Sequence, residues 1–271
     1  MRRFLSALIL LGASAGLRAG EAPRPASADE AALLREAIKH NHQDTEHWAY
    51  TETTQIVASK GSPQGATVVR FDPSKPYAEQ FTPLKVDGQP PTERQLRKYR
   101  ERGEKRGEKL ARDAAAASDR PAGAPPALNF NGSKANLDLD HSRVTEDGPE
   151  RISFEIPLVG RRQDIPMNKF ELRMQVQKKS RQVETVTLRL REPFRVKLIA
   201  KLKAGEARLD FTVVDPAYPP VISSITGNLG LSILFIPVDA TFANTRTEWK
   251  RVKAYDERFS VKLGPMQFLD I

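Results

Sequence analysis

The feature that most constrains the fold of this chain is the alternation of apolar and polar residues that recurs through residues 151–263. Phe170, Leu172, Met174 and Val176 occupy every second position, and charged or amide residues lie between them. Successive side chains of a β-strand point to opposite faces, so this pattern produces a sheet with one apolar and one polar face. Short turns between such runs predict an antiparallel meander.

The alternation returns in five runs along the chain. These are residues 152–158, 170–176, 186–190, 194–202 and 207–213. We expect the fourth run to turn at residues 204–206 before the fifth begins. Residues 221–242 lose the alternation and are apolar on both sides. This segment is either a central strand covered on both faces or a flap over a hydrophobic ligand, hinged at Gly227 and Gly230.

The N-terminus has the three parts of an export signal. Arg2 and Arg3 precede an apolar run at residues 4–11, and small residues follow at 12–16. This run is shorter than the roughly 20 residues that a membrane span requires, so we predict a signal peptide over residues 1–19 rather than an anchor. The chain has no cysteine, which excludes disulfides and lipidation at an N-terminal cysteine. Both observations favour a soluble protein of the bacterial periplasm.

The mature chain is basic. Loss of Arg2, Arg3 and Arg18 with the signal leaves 40 of the 43 basic residues against 34 acidic ones, a formal charge of +6. In a cell envelope the anionic surfaces are lipid head groups and wall polymers. Export removes nucleic acid as a partner, and no aromatic platform accompanies the basic residues. The charge also has a simpler interpretation, which is solubility.

Two helices interrupt the β pattern. Ser27 and Glu30 have the spacing of a capping box, and an apolar stripe predicts a helix over residues 29–39 that covers a sheet. His40, His42 and His47 follow it with irregular spacing, which favours a solvated turn over a metal site. Residues 92–127 are a charged helical insertion and linker in an otherwise single β-rich domain at 20–271.

The insertion has few residues to bury. Gly103 and Gly107 each weaken a helix by about 1 kcal/mol, more than an exposed ion pair contributes. We therefore expect a marginal, protruding helix. Its basic residues either form a solvated face or dock an anionic partner, with Arg97, Arg100 and Arg106 as the candidates for docking.

No motif for catalysis or cofactor binding is present. The chain lacks a glycine-rich phosphate loop, a zinc-ligand spacing and a nucleophile elbow. The acids Asp210, Asp215 and Glu248 lie in or near predicted strands without a recognisable catalytic spacing. We predict a protein that is not an enzyme and needs no cofactor or metal.

The order of elements resembles a known group. An export signal, one amphipathic helix, a strand with Trp48 and Tyr50, a hairpin leading to Arg70-Phe71-Asp72-Pro73, and a long meander are similar to the periplasmic lipoprotein carriers of the LolA/LolB-like superfamily. The resemblance covers most of the mature chain and departs from the group in the charged insertion. It implies a curved antiparallel sheet, or half-open β-barrel, around helices and an apolar cavity for acyl chains.

This resemblance implies a carrier of a lipid, a lipidated protein or another hydrophobic molecule. A sheet with one apolar face must cover that face with a helix, a lid or a ligand, and one short helix covers little of it. The residues expected on the inner face are Phe154, Phe170, Met174, Phe194, Leu198, Leu209 and Phe211. The alternative is an envelope adaptor or structural protein that docks an anionic partner, an envelope protein or a membrane surface, through the basic insertion.

Overall fold

The structure is a computed structural model that describes residues 22–41, 44–58, 65–118, 128–130, 133–160, 166–196, 200–233 and 236–258. The helices are α1 (Ala28–His40) and α2 (Glu93–Ser118). Four short 3₁₀ helices lie at Thr45–His47, Tyr77–Glu79, Met167–Lys169 and Asp256–Arg258. The strands are β1 (Arg24–Pro25), β2 (Trp48–Ala58), β3 (Thr67–Phe71), β4 (Phe81–Lys85), β5 (Leu128–Phe130), β6 (Ser133–Leu137), β7 (Arg143–Asp147), β8 (Arg151–Ile156), β9 (Leu158–Gly160), β10 (Phe170–Gln177), β11 (Gln182–Leu190), β12 (Phe194–Val196), β13 (Ala200–Thr212), β14 (Val221–Ile233) and β15 (Ile236–Arg251).

Twelve of these strands form one antiparallel sheet. Its order is β1-β7-β8-β10-β11-β13-β14-β15-β2-β3-β4, with β12 paired to β13. The edge strands β1 and β4 do not pair with each other within the described residues, so the sheet stays open. Strands β5, β6 and β9 form a separate small sheet. The predicted class, a half-open antiparallel sheet with an N-terminal helix, is confirmed.

The turn expected at residues 204–206 is wrong. Strand β13 continues through Ala204 and Gly205, and β12 folds back onto its first residues, with Phe194 opposite Leu202. A β-irregularity between Leu202 and Ala204 restores the pairing with β14. Gly205 stays in the strand opposite Leu229, whose Cδ1 would lie 3.7 Å from a Cβ at residue 205, an ordinary van der Waals separation.

The apolar segment at residues 221–242 is not a flap. It forms the hairpin of β14 and β15, which lies inside the sheet between β13 and β2. Gly227 and Gly230 are not hinges, since both pair with neighbouring strands on either side. A methyl group at Gly227 would lie 2.6 Å from Cζ of Phe242, so this glycine makes room for an aromatic ring across the hairpin.

Helix α1 covers one end of the apolar face. The capping box is as the spacing predicted: the Ser27 hydroxyl accepts a hydrogen bond from the backbone N–H of Glu30, and the Glu30 carboxylate accepts one from the backbone N–H of Ser27. Leu34 and Ala37 are fully buried against strands β7, β8, β10 and β11. Leu34 thereby joins a core of apolar residues around Phe154 and Leu172, both also fully buried.

Helix α2 packs on the sheet, which corrects the expectation of a marginal, protruding insertion. Thr92 and Gln95 exchange capping hydrogen bonds at its start. Gly103 and Gly107 face the 3₁₀ helix Tyr77–Glu79, so close that a side chain at either position would clash with Tyr77. The glycines that weaken the isolated helix are thus the residues that let it approach the sheet.

Several predictions fall outside the described residues. These are the signal peptide at 1–19, His42, residues 119–127 of the predicted insertion and linker, and the part of the alternating pattern beyond residue 258. None of the helices in the described part of the chain is long and apolar enough to cross a membrane.

Candidate functional site

The candidate site is a lane of apolar side chains on the central strands of the sheet. Register places Ile56 opposite Phe242 and Phe242 opposite Gly227, in one row across β2, β15 and β14. The next rows toward the end of the hairpin contain Leu229, and then Leu231 opposite Val238. Residues directly opposite each other share a face. We define the open lane as Ile56, Leu229, Leu231, Ile236, Val238 and Phe242.

The open lane is exposed where an apolar face of a sheet would normally be covered. The exposed fractions are 48% for Ile56, 39% for Leu229, 38% for Val238 and 56% for Ile236. Phe242 and Leu231 are half-buried. A contiguous exposed strip of large aliphatic residues is uncommon on a soluble protein unless something binds it.

A glycine forms part of the floor of the open lane. The ring of Phe242 lies over Gly227, where a Cβ would be 2.6 Å from the ring atom Cζ. The aliphatic side chains of the lane present apolar surface to solvent. The lane can therefore accept a chain-like apolar molecule by burial alone.

One border of the open lane is the core under α1. Strand β13 continues the apolar face with Leu209, which lies opposite Ile225 of β14 and Val186 of β11. Leu188 and Leu209 are partly buried and pack against the core cluster. The apolar face thus changes continuously from fully buried under α1 to exposed in the lane.

The other border is an aromatic cluster. Along β2 the same face passes from Ile56 through Thr54 and Glu52 to Tyr50. The ring of Tyr50 lies 4.8 Å from Trp249 and 5.1 Å from Phe71, measured between centroids. Burial raises the pKa of the Tyr50 phenol. We define the aromatic cluster as Trp48, Tyr50, Phe71, Phe81, Tyr218 and Trp249.

Arginine side chains stack on the rings of the aromatic cluster. Arg102 of α2 lies 4.3 Å from the ring centroid of Phe81, and Arg106 lies 5.0 Å from that of Phe71. Arg251 lies 3.9 Å from the ring of Tyr218. Such stacking holds a guanidinium on an aromatic face by cation–π attraction. Helix α2 is therefore the cover of this end of the sheet, as α1 is of the other.

Charged groups at the start of β2 tie it to the C-terminal part of the chain. His47 contacts Asp44 and, at 2.7 Å, Glu257. These contacts raise the pKa of His47, the hydrogen bond with Asp44 having the largest effect. Burial alone would raise the pKa of Asp44, but hydrogen bonds from His47 and Arg251 hold it below its usual value. Among the described residues, no group of three or more histidine, cysteine, aspartate or glutamate side chains is arranged to hold a metal ion.

The opposite face of the sheet carries polar grooves. Two grooves, of about 250 and 360 Å³, share Glu206 and Arg208 in their walls. The charges in them largely compensate one another: Arg208 binds Asp210 at 2.8 Å, and Arg173 binds Glu171. Burial would raise the pKa of Asp210, but hydrogen bonds with Arg208 and Ser224 lower it, so this acid is held as a carboxylate.

The residues expected on the inner face do lie on one face, but most are in the core. Phe154 and Met174 are buried beneath α1, where the helix fills the space above them. Phe170, Leu209 and Phe211 are partly buried against the same core. Phe194 is buried, with its ring 5.8 Å from that of Phe170. Leu198 lies outside the described residues, and the role of this set in ligand binding stays a prediction.

The three arginines expected to dock a partner differ in their surroundings. Arg97 and Arg100 are exposed on the outer face of α2. Arg106 points inward, donates to Oε1 of the buried Gln80 at 2.6 Å and pairs with Glu46. Arg106 therefore fastens the helix to the sheet, and only Arg97 and Arg100 are placed to meet a partner.

The residues of the open lane are not evident from the sequence alone. Ile56 alternates with Thr54 but stands beside charged and polar neighbours, and Leu229, Ile236 and Val238 lie in a segment without alternation. The available signal was the apolar excess of residues 221–242, which marked the segment but not its exposed side chains.

Comparison with known proteins gives one structural likeness. No protein-family model matches the chain, and no curated protein matches it significantly in sequence. The crystal structure of a LolA superfamily protein from Nitrosomonas europaea is similar over 85% of this chain and 96% of that chain, with a TM-score of 0.33 and 8% identity.

Proposed function

We propose that this chain is a non-enzymatic carrier of the bacterial periplasm, which binds a lipid, a lipidated protein or another hydrophobic molecule in the open lane. One observation supports this proposal above the others. Helix α1 and helix α2 cover the two ends of the apolar face, while Ile56, Leu229 and Val238 between them remain more than a third exposed. A ligand is the natural cover for that gap.

The chemistry of the open lane favours an acyl chain. Its exposed side chains are aliphatic, and its rows are lined with glycine and alanine, including Ala240 opposite Leu229. Such a surface offers dispersion contacts and burial but no directional polar groups. Each buried methylene contributes about 0.8 kcal/mol, so a chain of several methylenes would bind without any covalent step.

Two neighbouring residues of β2 provide a matched test. Ile56 and Val57 have similar exposed fractions, 48% and 45%, but they point to opposite faces of the same strand. We expect Ile56→Asp to weaken binding of a dansyl-labelled fatty acid by at least about tenfold, because it buries a charge under the ligand. Val57→Asp should change it by less than about twofold, within the usual effect of a surface substitution.

Native mass spectrometry of protein purified from the periplasm gives an independent measurement. Co-purified acyl lipid on the wild type and its loss in Ile56→Asp would support the carrier function. Equal binding by the two β2 variants, or no uptake of the labelled fatty acid by the wild type, would contradict it.

The second candidate function is that of an envelope adaptor. It is favoured by the firm attachment of α2, which presents Arg97 and Arg100 outward on a helix held by Arg106. We expect Arg97→Glu with Arg100→Glu to abolish a salt-sensitive contact with an anionic envelope protein while leaving the thermal midpoint unchanged. Cross-linking in intact cells would detect that partner, and unchanged cross-links in the double variant would exclude this role.

A further inference from the structure

Four strand ends meet at one rim of the sheet, at the outer end of the open lane. Strand β12 pairs with the start of β13, with Arg195 opposite Lys201. Lys201 lies opposite Ser232 near the end of β14, and Ile233 lies opposite Ile236 at the start of β15. The hairpins β12–β13 and β14–β15 therefore end side by side. We define the rim as Arg195, Lys201, Lys203, Ile236 and Val238.

The rim carries exposed aliphatic side chains on one face of the sheet and exposed basic side chains on the other. Arg195 and Lys201 lie in one row with Pro237, so they leave the sheet on the face opposite to Ile236 and Val238 and flank the strand ends from that side. Among the large hydrophobic residues that the structure describes, Ile236 has the largest exposed fraction, 56%, and Val238 follows two positions later on the same face. Arg195, Lys201 and Lys203 are all exposed, and none of them forms an ion pair within the described part of the chain. The nearest acids in sequence are Glu192, Glu206 and Asp239. Glu192 pairs with Lys169, while Glu206 and Asp239 lie opposite Asn228 and Gly230, farther from the strand ends than Lys201.

We propose that this rim docks on a lipid bilayer that carries anionic head groups. Ile236 and Val238 enter the boundary between head groups and acyl chains, and Arg195, Lys201 and Lys203 remain at the level of the phosphates. Aliphatic residues flanked by lysine and arginine are suited to such a boundary, because apolar burial and attraction to anionic lipid add together. This docking does not require the open lane to hold a ligand.

The composition of the rim favours a bilayer over a protein partner. Protein interfaces are enriched in aromatic residues, methionine and arginine and are depleted in lysine. The rim has two lysines and one arginine among its basic residues, and its apolar residues are an isoleucine and a valine. A lipid surface tolerates this mixture, because the lysine side chains can extend toward the phosphates while their stems stay in apolar surroundings.

The test is vesicle binding by the full chain. We expect wild-type protein to sediment with vesicles of phosphatidylglycerol and phosphatidylcholine in equal parts, and much less with phosphatidylcholine alone or at high salt. Lys201→Glu with Lys203→Glu should lower the affinity by at least roughly 25-fold, because the loss of each lysine costs about fivefold and each glutamate adds repulsion from the anionic head groups. Ile236→Asp should weaken binding to about the same degree, whereas Leu84→Asp on the distant strand β4, also exposed, should not.

The basic outer face of α2 is the competing surface on the same molecule. Arg97→Glu with Arg100→Glu reverses two charges there, as the lysine pair does at the rim, and should change vesicle affinity by less than about twofold if the rim is the contact. Loss of binding in the α2 pair with retention in the rim pair would overturn the proposal, and so would a wild type that does not bind anionic vesicles.

A labelling experiment tests insertion directly and avoids a destabilising charge. The chain has no cysteine, so Ile236→Cys accepts a single environment-sensitive fluorophore. We expect a blue shift with anionic vesicles for the label at residue 236 and none for a label at Leu84→Cys. Equal spectra at the two positions would show that the rim does not enter the bilayer. Fatty-acid binding by Ile56→Asp is measured in parallel, so failure of the carrier function and failure of docking remain distinguishable.

Discussion

Gly103 of helix α2 rests directly on the backbone of Tyr77. A Cβ at Gly103 would fall well inside 3.0 Å of the Tyr77 carbonyl oxygen, a separation that real Cβ atoms do not show. One turn later a Cβ at Gly107 would lie 2.6 Å from the Tyr77 ring. The two glycines thus form a flat strip on the helix, and the contact fixes how closely α2 can cover the aromatic cluster.

Gly103→Ala should destabilise the protein, although the same change stabilises an exposed helix by about 1 kcal/mol. The clash is with backbone, so the helix must move away from the sheet, and we expect a net loss of about 1–3 kcal/mol in the free energy of unfolding. Urea denaturation followed by circular dichroism measures it. Glu104→Ala, on the exposed side of the same turn, is the control and should not destabilise. A raised midpoint for Gly103→Ala would mean that α2 does not pack here.

The pairing of Gly227 with Phe242 predicts a second glycine effect in the floor of the open lane. A Cβ at Gly227 would meet both the Phe242 ring and the Glu206 carbonyl oxygen at 2.6 Å. Gly227→Ala should lower the free energy of unfolding by about 1–3 kcal/mol. In a Phe242→Ala background, Gly227→Ala should cost less stability than in the wild type, because the ring is gone. It should still destabilise, since the Glu206 carbonyl remains, and a double-mutant cycle measures this coupling between residues 227 and 242. Additive effects would contradict the contact.

Arg106 and Arg97 should differ in their effect on stability. Arg106→Ala removes a hydrogen bond to the buried Gln80, the pair with Glu46 and the stacking on Phe71. We expect it to cost about 1–3 kcal/mol of unfolding free energy, because Gln80 loses the donor to its buried oxygen. Arg97→Ala, at an exposed position, should stay within about 0.5 kcal/mol of the wild type. Thermal unfolding of the two variants side by side decides the question.

The capping box of α1 predicts an acid-dependent stability. The hydrogen bond from Arg24, at 2.6 Å, lowers the pKa of Glu30 to about 2 from an ordinary 4.5. A depressed folded-state pKa contributes stability above the unfolded pKa, and this contribution is lost as the pH falls from 4.5 toward 2. Glu30→Gln should therefore destabilise the protein at pH 7 and lose this effect near pH 2, as urea midpoints across that range would report. A pH-independent difference would exclude the ion pair as its cause.

His47 predicts the opposite dependence on pH. Its hydrogen bond to Asp44, with a second donated to the Glu257 carboxylate, raises its pKa above 6.5. A raised pKa contributes stability that is complete below the unfolded value and is lost as the pH rises through the folded value. His47→Gln should therefore cost more stability at pH 6 than at pH 9. Titration of the imidazole by NMR measures the pKa itself, and a value at or below 6.5 would contradict the network.

Residues close together in sequence determined much of this fold on their own. The period-two pattern of Phe170, Leu172, Met174 and Val176 determined a strand with one buried face, and the structure buries Leu172, Met174 and Val176. The pair Ser27 and Glu30 determined where α1 begins, and Thr92 with Gln95 did the same for α2. These features rest on local geometry, the alternation of a strand and the four unpaired N–H groups of a helix, so they can be predicted from short stretches.

The tertiary structure alone decided the use of the glycines and the location of the exposed face. Local reasoning interprets a glycine as a residue that weakens a helix or forms a hinge, as it did for Gly103, Gly107 and Gly227. In the structure each of these glycines makes room for a residue elsewhere in the chain, Tyr77 for the first two and Phe242 of the neighbouring strand for the third. The exposure of Ile56 depends on its pairing with Phe242, some 190 residues later, and on both helices stopping short of that row. Burial is a property of what lies opposite in space, and strand order and helix placement, which no local pattern encodes, decide what that is.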